Sequence, residues 1–427
     1  MKNDIVTGKC TDMTIDGLGI ARADELVVFV KEMIPGETAR IRITKEKKNY
    51  SYGIIEELLE ASEFRRKPDC PIAYKCGGCD LRHIDYGYQL ELKKKILANV
   101  LKPYKVTDVV CDDDPYYYRN KVQIPCRDGK MGFYRRYSND IMEFDDCLIE
   151  SRKANEIIAD LKKVLFTYPF SSSVRHILIK HGKMTDEIMV GIITSDIDSD
   201  YSPIVDYLTE RHQNIRSIIL NLNDRDTNVI LGDREKVIYG NGYICDIYDG
   251  IKVKISLKSF YQVNHGMMLK LYGKILELAQ ISENTDVLDL YCGIGTISLY
   301  LARYCRSVTG VEIVKEAVDN AMDNAAMNGM DNARFILADA SKGMDEYLKD
   351  KDVLIVDPPR KGLSESLIRS IINSDVERMV YVSCNPVTLA RDLKLLNEAF
   401  DLDEIVPFDM FGYTVHVECV TCLERKR

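Results

Sequence analysis

The chain has 427 residues, enough for two or three domains with a core in each, and its 46% hydrophobic and 29% charged residues are ordinary for a soluble globular protein. Its net charge of −9 excludes nucleic-acid binding over the whole surface but leaves room for one basic face. No apolar run reaches membrane-spanning length, Met1-Lys2-Asn3-Asp4 begins neither a signal nor a transit peptide, and thirteen scattered cysteines argue against a disulfide framework, so the expected address is the cytoplasm.

Residues 1 to about 60 alternate apolar and polar positions around glycine turns. Asp16-Gly17-Leu18-Gly19 reads as a hairpin tip, with Leu26-Val27-Val28-Phe29-Val30 and Thr38-Ala39-Arg40-Ile41-Arg42-Ile43 as strands. Such a unit is either a small barrel of the oligonucleotide-binding kind or a β-extension of the next domain. Arg65-Arg66-Lys67-Pro68 reads as a linker. Cys70-x5-Cys76-x2-Cys79 follows, with Cys147 at a distance; this spacing suits either Zn²⁺ or an iron–sulfur cluster.

A helical stretch from Tyr88 to Leu101 carries Lys93-Lys94-Lys95, and strand-like runs follow at Val122–Ile124, His176–Ile179, Ile188–Val190 and Ser217–Leu220. From about 266 onward helix and strand alternate regularly, with strands expected at 286–290, 307–312, 334–338, 352–357, 378–383, 403–408 and 414–421. That is a Rossmann-like parallel sheet with a late hairpin. The expected division is residues 1–60, 61–260 and 261–427.

Three strand ends of this sheet carry chemistry-bearing residues. Val287–Leu290 opens into Tyr291-Cys292-Gly293-Ile294-Gly295-Thr296, a glycine loop without the third glycine of the dinucleotide fingerprint. Glu312 ends the following strand about twenty residues on, where an acid binds ribose hydroxyls. An adenosyl ligand without a pyrophosphate fits both facts, and S-adenosylmethionine is the common one. Asp339, after the third strand, is placed toward the adenine end. Val353–Val356 runs into Asp357-Pro358-Pro359-Arg360, and Met379–Val382 into Ser383-Cys384-Asn385-Pro386. A lone cysteine is more often a small buried hydrophobe than a nucleophile, but this one stands beside an acid and a glycine loop.

These motifs, with Ser259-Phe260-Tyr261-Gln262-Val263-Asn264 and His416-Val417-Glu418, resemble the RNA (uracil-5-)-methyltransferase family over nearly the whole chain. The resemblance implies a multi-domain α/β protein: a TRAM-like RNA-binding barrel, a central α+β domain, and a C-terminal Rossmann-like methyltransferase domain. It places the nucleophile at Cys384 and the base at Glu418, with Gln262, Tyr291, Thr296, Glu312, Asp339 and Asp357 around S-adenosylmethionine and Arg360 at the substrate. Uracil carbon 5 is a weak nucleophile until a thiolate adds at carbon 6, and a base must then remove the carbon 5 proton. The same resemblance implies a [4Fe–4S] cluster on Cys70, Cys76, Cys79 and Cys147, and a monomer acting on an unpaired uridine of 23S rRNA. Transfer-RNA members are expected to lack both the barrel and the cluster. One departure is Arg82, where the resemblance leads one to expect glutamine before His83.

Expected RNA contacts are Arg65-Arg66-Lys67, Lys93-Lys94-Lys95, Arg119, Lys121 and Tyr134-Arg135-Arg136-Tyr137, cations interleaved with aromatics. Three rivals are weighed. An amino-methyltransferase would need an aromatic where Arg360 stands, and would have no use for Cys384. A radical S-adenosylmethionine enzyme would need tighter cysteine spacing and a barrel in place of the glycine-loop sheet. A non-catalytic cluster protein would leave Cys384 and Glu418 idle.

Overall fold

The computed structural model describes residues 2–427 apart from 226 and 343. Strands Ile5–Met13, Gly19–Ala23, Leu26–Lys31, Thr38–Glu46 and Ser51–Glu60 close into a barrel, which sets aside a mere β-extension. Alternation drives the closure: Ala39, Ile41 and Ile43 point inward from one strand and pack with Val28 and Val30. Gly53 is required there, because a Cβ would lie 2.4 Å from Ile41 Cγ2.

The middle of the chain forms a six-stranded mixed sheet in the order Arg234–Gly240, Ile215–Leu222, Ile188–Thr194, Val174–His181, Lys121–Arg127, Lys130–Met131. Helices Arg152–Val164 and Ser202–Arg211 contribute to its core; the first starts where Ser151 Oγ accepts from the Ala154 N–H.

The C-terminal sheet has eight strands in the order Ala333–Leu337, Ser307–Glu312, Asp286–Leu290, Val353–Val356, Arg378–Ser383, Glu418–Arg425, Phe400–Phe408, Lys105–Val106. The first five are parallel. Glu418–Arg425 runs antiparallel to both its neighbours, forming the expected late hairpin with Phe400–Phe408. Its start is four residues later than the expected 414. Tyr413 adopts a positive φ of 65° and its carbonyl accepts from the N–H groups of Asp80 and Leu81, so this backbone serves the cysteine segment and not the sheet ladder. Among the described residues, no helix is long and apolar enough to cross a membrane.

Most of the cations expected to face RNA are occupied inside the protein. Arg65 pairs with Glu37, whose side chain is fully buried, and its Nη2 donates to the Glu32 carbonyl at 2.6 Å. Lys93 Nζ lies 2.5 Å from Asp409 Oδ1, both side chains buried, while Tyr86 OH donates to the other oxygen at 2.6 Å. Lys94 pairs with Asp108, Lys95 with Asp12, Arg119 with Glu150 and Arg136 with Asp80. The helix Tyr86–Val100 turns Lys93 toward the core while its neighbours stay nearer the surface, a distinction that a run of three lysines hides. Tyr137 stays open at 88% exposure.

Replacing Lys93 by Ala should strand the Asp409 carboxylate and destabilise the protein by about 3–5 kcal/mol. Lys95→Ala, at a half-exposed pair, should cost below ~1 kcal/mol. Urea denaturation midpoints of the two variants distinguish these outcomes.

Candidate active site

The antiparallel entry of the last strand builds the site. Ser383 pairs with Cys419 in the ladder, so the next rung in that register sets Cys384 opposite Glu418. Cys384 is half-buried at the end of its strand; Glu418 is buried at the start of its own. After Cys384, Asn385 caps the helix Pro386–Leu396 by accepting from the Val387 N–H at 3.1 Å. Its Nδ2 also donates to the Arg360 carbonyl at 2.9 Å, joined by Thr388 Oγ1 at 3.2 Å. The Asp357–Arg360 loop is thereby tied to the Cys384 loop, and Arg360 Nη2 lies 3.4 Å from His416 Nε2. A cavity of about 210 Å³ opens at Cys384, Arg360 and His416, with the barrel hairpin Thr14–Gly17 as part of its wall.

Acids crowd this corner. Burial pushes the Cys384 thiol up to about 11, reinforced by Glu418 and Asp357 and opposed by Arg360. Burial, then Asp357, drives Glu418 well above the ordinary carboxylate range, again against Arg360. Asp357 is half-buried, and loss of hydration lifts its carboxyl to about 7. One guanidinium thus opposes the rise of both Cys384 and Glu418.

The glycine loop lies two strands away, beyond Val353–Val356. Tyr291, Gly293 and Gly295 have φ of 67°, 57° and 82°, and the N–H groups of Tyr291 and Cys292 both donate to the Val311 carbonyl. Glu312 spans two loops: Oε2 accepts from Gly293 N–H at 3.1 Å, and Oε1 from Ile313 and Val314 N–H at 2.8 and 2.9 Å. Thr296 turns inward, its Oγ1 2.7 Å from Tyr272 OH and its carbonyl accepting from Tyr248 OH. Asp339 stands at the sheet edge with its carboxylate taken by Ser341 N–H and Oγ–H, which hold it below the usual carboxylate range. Gln262 is buried, its carbonyl accepting from Asn120 Nδ2 at 2.9 Å. The structure therefore joins Cys384, Glu418, Asp357 and Arg360 at one edge and Tyr291, Thr296 and Glu312 at the glycine loop.

Three neighbouring residues carry no assigned role on sequence alone. Asp289 is fully buried and lifted to about 7 by burial; Oδ2 accepts from Ser298 Oγ–H at 2.5 Å and Oδ1 has no partner. An acid within the apolar run Val287-Leu288-Asp289-Leu290 was the available signal. Asn385 had one in its position before Pro386. Ile313, 59% exposed beside Glu312, had none.

Cys70, Cys76, Cys79 and Cys147 line one cavity of about 400 Å³, and none is in a disulfide. Burial lifts Cys79 to about 11, with smaller contributions from Cys76 and Cys70. Among the described residues, no three His, Cys, Asp or Glu side chains stand close enough to hold a metal ion. The ready-made ligand cluster expected from the spacing is thus not what the structure displays: the thiols are spread around the cavity wall. Their chemistry still fits a thiolate-bound group, since four unoxidised sulfurs from two distant segments share one cavity.

A parallel sheet with a glycine loop, an acid ending the second strand, and chemistry at the carboxyl edge defines a Rossmann-like methyltransferase domain. The chain belongs to the tRNA (uracil-5-)-methyltransferase family, which residues 85–426 match, and residues 6–55 match the TRAM domain. An RNA methyltransferase of Bacillus cereus is 40% identical over 447 residues, spanning 99% of this chain and 97% of that one. One of Clostridium acetobutylicum is 38% identical over 434 residues, spanning 96% and 94%. Among solved structures, the Pyrococcus abyssi tRNA (uracil-54, C5)-methyltransferase in complex with S-adenosyl-L-homocysteine is similar with a TM-score of 0.79 and 28% identity. That match covers 98% of this chain and 100% of the other. A tRNA enzyme thus aligns along the barrel as well, so the barrel by itself does not separate rRNA from tRNA enzymes, contrary to the expectation from sequence.

Asp357 offers a test of the site's electrostatics. Its carboxyl ionises near 3.8 ordinarily and near 7 in the folded protein, so the stability tied to its proton is complete below pH 4 and is lost as pH rises to 7. Asp357→Asn should be near neutral in stability at pH 4 and stabilising by on the order of 1–3 kcal/mol at pH 8. Thermal melts across pH 4–8 read this directly; an unchanged difference across that range would show that the carboxyl is not lifted.

Proposed function

We propose that this protein methylates carbon 5 of an uridine in RNA, with S-adenosylmethionine as methyl donor. The observation that carries this reading is the facing pair Cys384 and Glu418, with Asp357 and Arg360 beside them. Cys384 Sγ, its proton lost to solvent as the base binds, adds to carbon 6; the ring electrons move to the carbonyl oxygen and carbon 5 becomes nucleophilic. Arg360 favours both charged forms, thiolate and carboxylate, and its effect strengthens as a bound base expels water. S-adenosylmethionine, when bound, would supply an electrophilic methyl group to carbon 5, its sulfur–methyl bond breaking to leave S-adenosylhomocysteine. Glu418, which must also have released its own proton to solvent and stand as the carboxylate that Arg360 favours, then takes the carbon 5 proton, the double bond re-forms, and the thiolate leaves.

The residues at the glycine loop fit an adenosyl ligand. Gly293 leaves open space where a Cβ would stand, Glu312 is held by three backbone N–H groups, and Ile313 and Leu337 expose apolar surface beside it. Glu312 would accept from ribose hydroxyls, and Gln262, Tyr291, Asp339 and Asp357 would complete the surroundings. Thr296, committed to Tyr272, would shape the loop instead of touching the ligand.

Cys70, Cys76, Cys79 and Cys147 would hold a [4Fe–4S] cluster that pins the central segment, as the family resemblance and the shared cavity support. For the substrate, 23S rRNA is the reading favoured by that resemblance. The full-length likeness to a tRNA (uracil-54, C5)-methyltransferase supports tRNA as the second reading. In either case the target uridine must leave its stack to reach Cys384, which favours an unpaired loop.

Cys384→Ala should neither methylate RNA nor form an adduct with it. Glu418→Gln should slow turnover by ~10²–10⁴-fold and accumulate a protein–RNA species that survives denaturing gels and requires Cys384. Full activity in Cys384→Ala would end this reading and bring an amino-methyltransferase forward. Mapping 5-methyluridine in a deletion strain and its parent should show one or more modifications missing from 23S rRNA; loss confined to tRNA would decide for the second reading.

A further inference from the structure

Arg82 stands in the segment between the cysteines and the helix Tyr86–Val100, and its side chain is only 2% exposed. Nη1 donates to Asp69 Oδ1 at 2.7 Å, and Asp69 is held in turn by Tyr116 OH at 2.7 Å on its other oxygen. The guanidinium stacks 4.0 Å from the centre of the Tyr413 ring. Its remaining donors are different: Nε and Nη2 are buried and have no hydrogen-bond partner. Arg82 lines the same cavity as Cys70, Cys76, Cys79 and Cys147, and its guanidinium lies against the Cys79 thiol.

A guanidinium stays protonated and presents its donors in a fixed fork, so two unpaired N–H groups in a buried cavity are costly. Asp69, 42% exposed, engages only Nη1. Neutral thiols are weak acceptors, whereas thiolate and sulfide sulfurs bound to iron are anionic and accept readily. A negatively charged sulfur-rich group in this cavity would supply the acceptors that Nε and Nη2 lack.

We propose that Arg82 is a positioning residue for the cysteine-held cluster, its Nε and Nη2 donating hydrogen bonds to the Cys79 sulfur and to a sulfur of the bound group. The inference rests on the iron–sulfur reading given above. Were the cluster bound, its one-electron reduction by a low-potential reductant such as dithionite would break no bond and make the group more negative, so these donors would favour the reduced state. Glutamine at this position, expected by resemblance, carries an amide and no charge; Arg82 therefore sets a higher reduction potential in this chain than glutamine would.

The full-length protein, Arg82→Gln and Arg82→Lys are purified anaerobically, assayed for iron and acid-labile sulfide, and titrated with dithionite while visible absorption is followed. Wild type should contain iron and sulfide in near-equal amounts. Arg82→Gln should retain them with its one-electron reduction equilibrium shifted by about tenfold toward the oxidised state, ~59 mV. Arg82→Lys, which keeps the charge but not the fork, should fall between. Equal potentials in wild type and the glutamine variant, both fully loaded, would overturn the role of Arg82 and leave the cluster reading intact. Stoichiometric zinc without sulfide in wild type would overturn the cluster reading and this inference with it. Should Arg82→Gln bind no iron, the lysine variant decides: a lowered potential supports the inference and an unchanged one overturns it.

Discussion

The reversed strand Glu418–Arg425 is the constraint on which the active site depends. Inserted between Arg378–Ser383 and Phe400–Phe408, it runs against the parallel part of the sheet, so its first residue lies at the edge where the parallel strands end. A parallel strand in the same slot would carry its first residue to the opposite edge, some 35 residues from Cys384 in chain and a full sheet height away in space. Antiparallel pairing is therefore what converts a residue at the start of a strand into a neighbour of one at the end of another.

That juxtaposition has an electrostatic consequence. Cys384, Glu418 and Asp357 each lean toward their neutral forms because hydration is lost, and acidic neighbours add to this at Cys384 and Glu418. Arg360 is the cation that acts on both Cys384 and Glu418, and it is fixed through its carbonyl by Asn385 and Thr388. The helix that begins after Cys384 thus also anchors the loop that carries the guanidinium. Such crowding stores destabilisation where chemistry is to occur, as functional sites commonly do.

Backbone hydrogen bonds, a cation–π stack, a close backbone approach and one buried ion pair tie the barrel, the cysteine segment and the C-terminal sheet around one loop, Phe411–Val417, just ahead of Glu418. The Tyr413 carbonyl accepts from Asp80 and Leu81, Asp80 Oδ2 accepts from Val415 N–H, and Arg82 stacks on Tyr413. From the barrel side, Gly17 approaches Val415 so closely that a Cβ there would lie 2.7 Å from its Cγ1. Lys93, by gripping Asp409, fixes the start of the same loop. Lys93, a cation expected at RNA, is thereby spent on holding the approach to the strand that carries Glu418. The cysteine segment is therefore connected mechanically to Tyr413 and Val415, a few residues before Glu418.

The sequence by itself determined the parallel strands of the C-terminal sheet and the residues at their carboxyl ends, because buried apolar runs, glycine loops and proline turns are local signals. It thereby placed Cys384, Asp357, Tyr291 and Glu312 at strand ends, and the linear motifs carried the family. What it left undecided is what depends on partners distant in the chain. Glu418 read as a strand-interior residue until Tyr413 was seen to give its carbonyl to Asp80 and Leu81. Lys93 read like Lys94 and Lys95 until one helix face turned it onto Asp409, more than three hundred residues away. Nor did the sequence show that the Thr296 hydroxyl meets Tyr272 OH, a partner 24 residues earlier in the chain. Whether a polar side chain is free for function or committed to structure is settled by what packs against it, and only the tertiary structure brings those partners together.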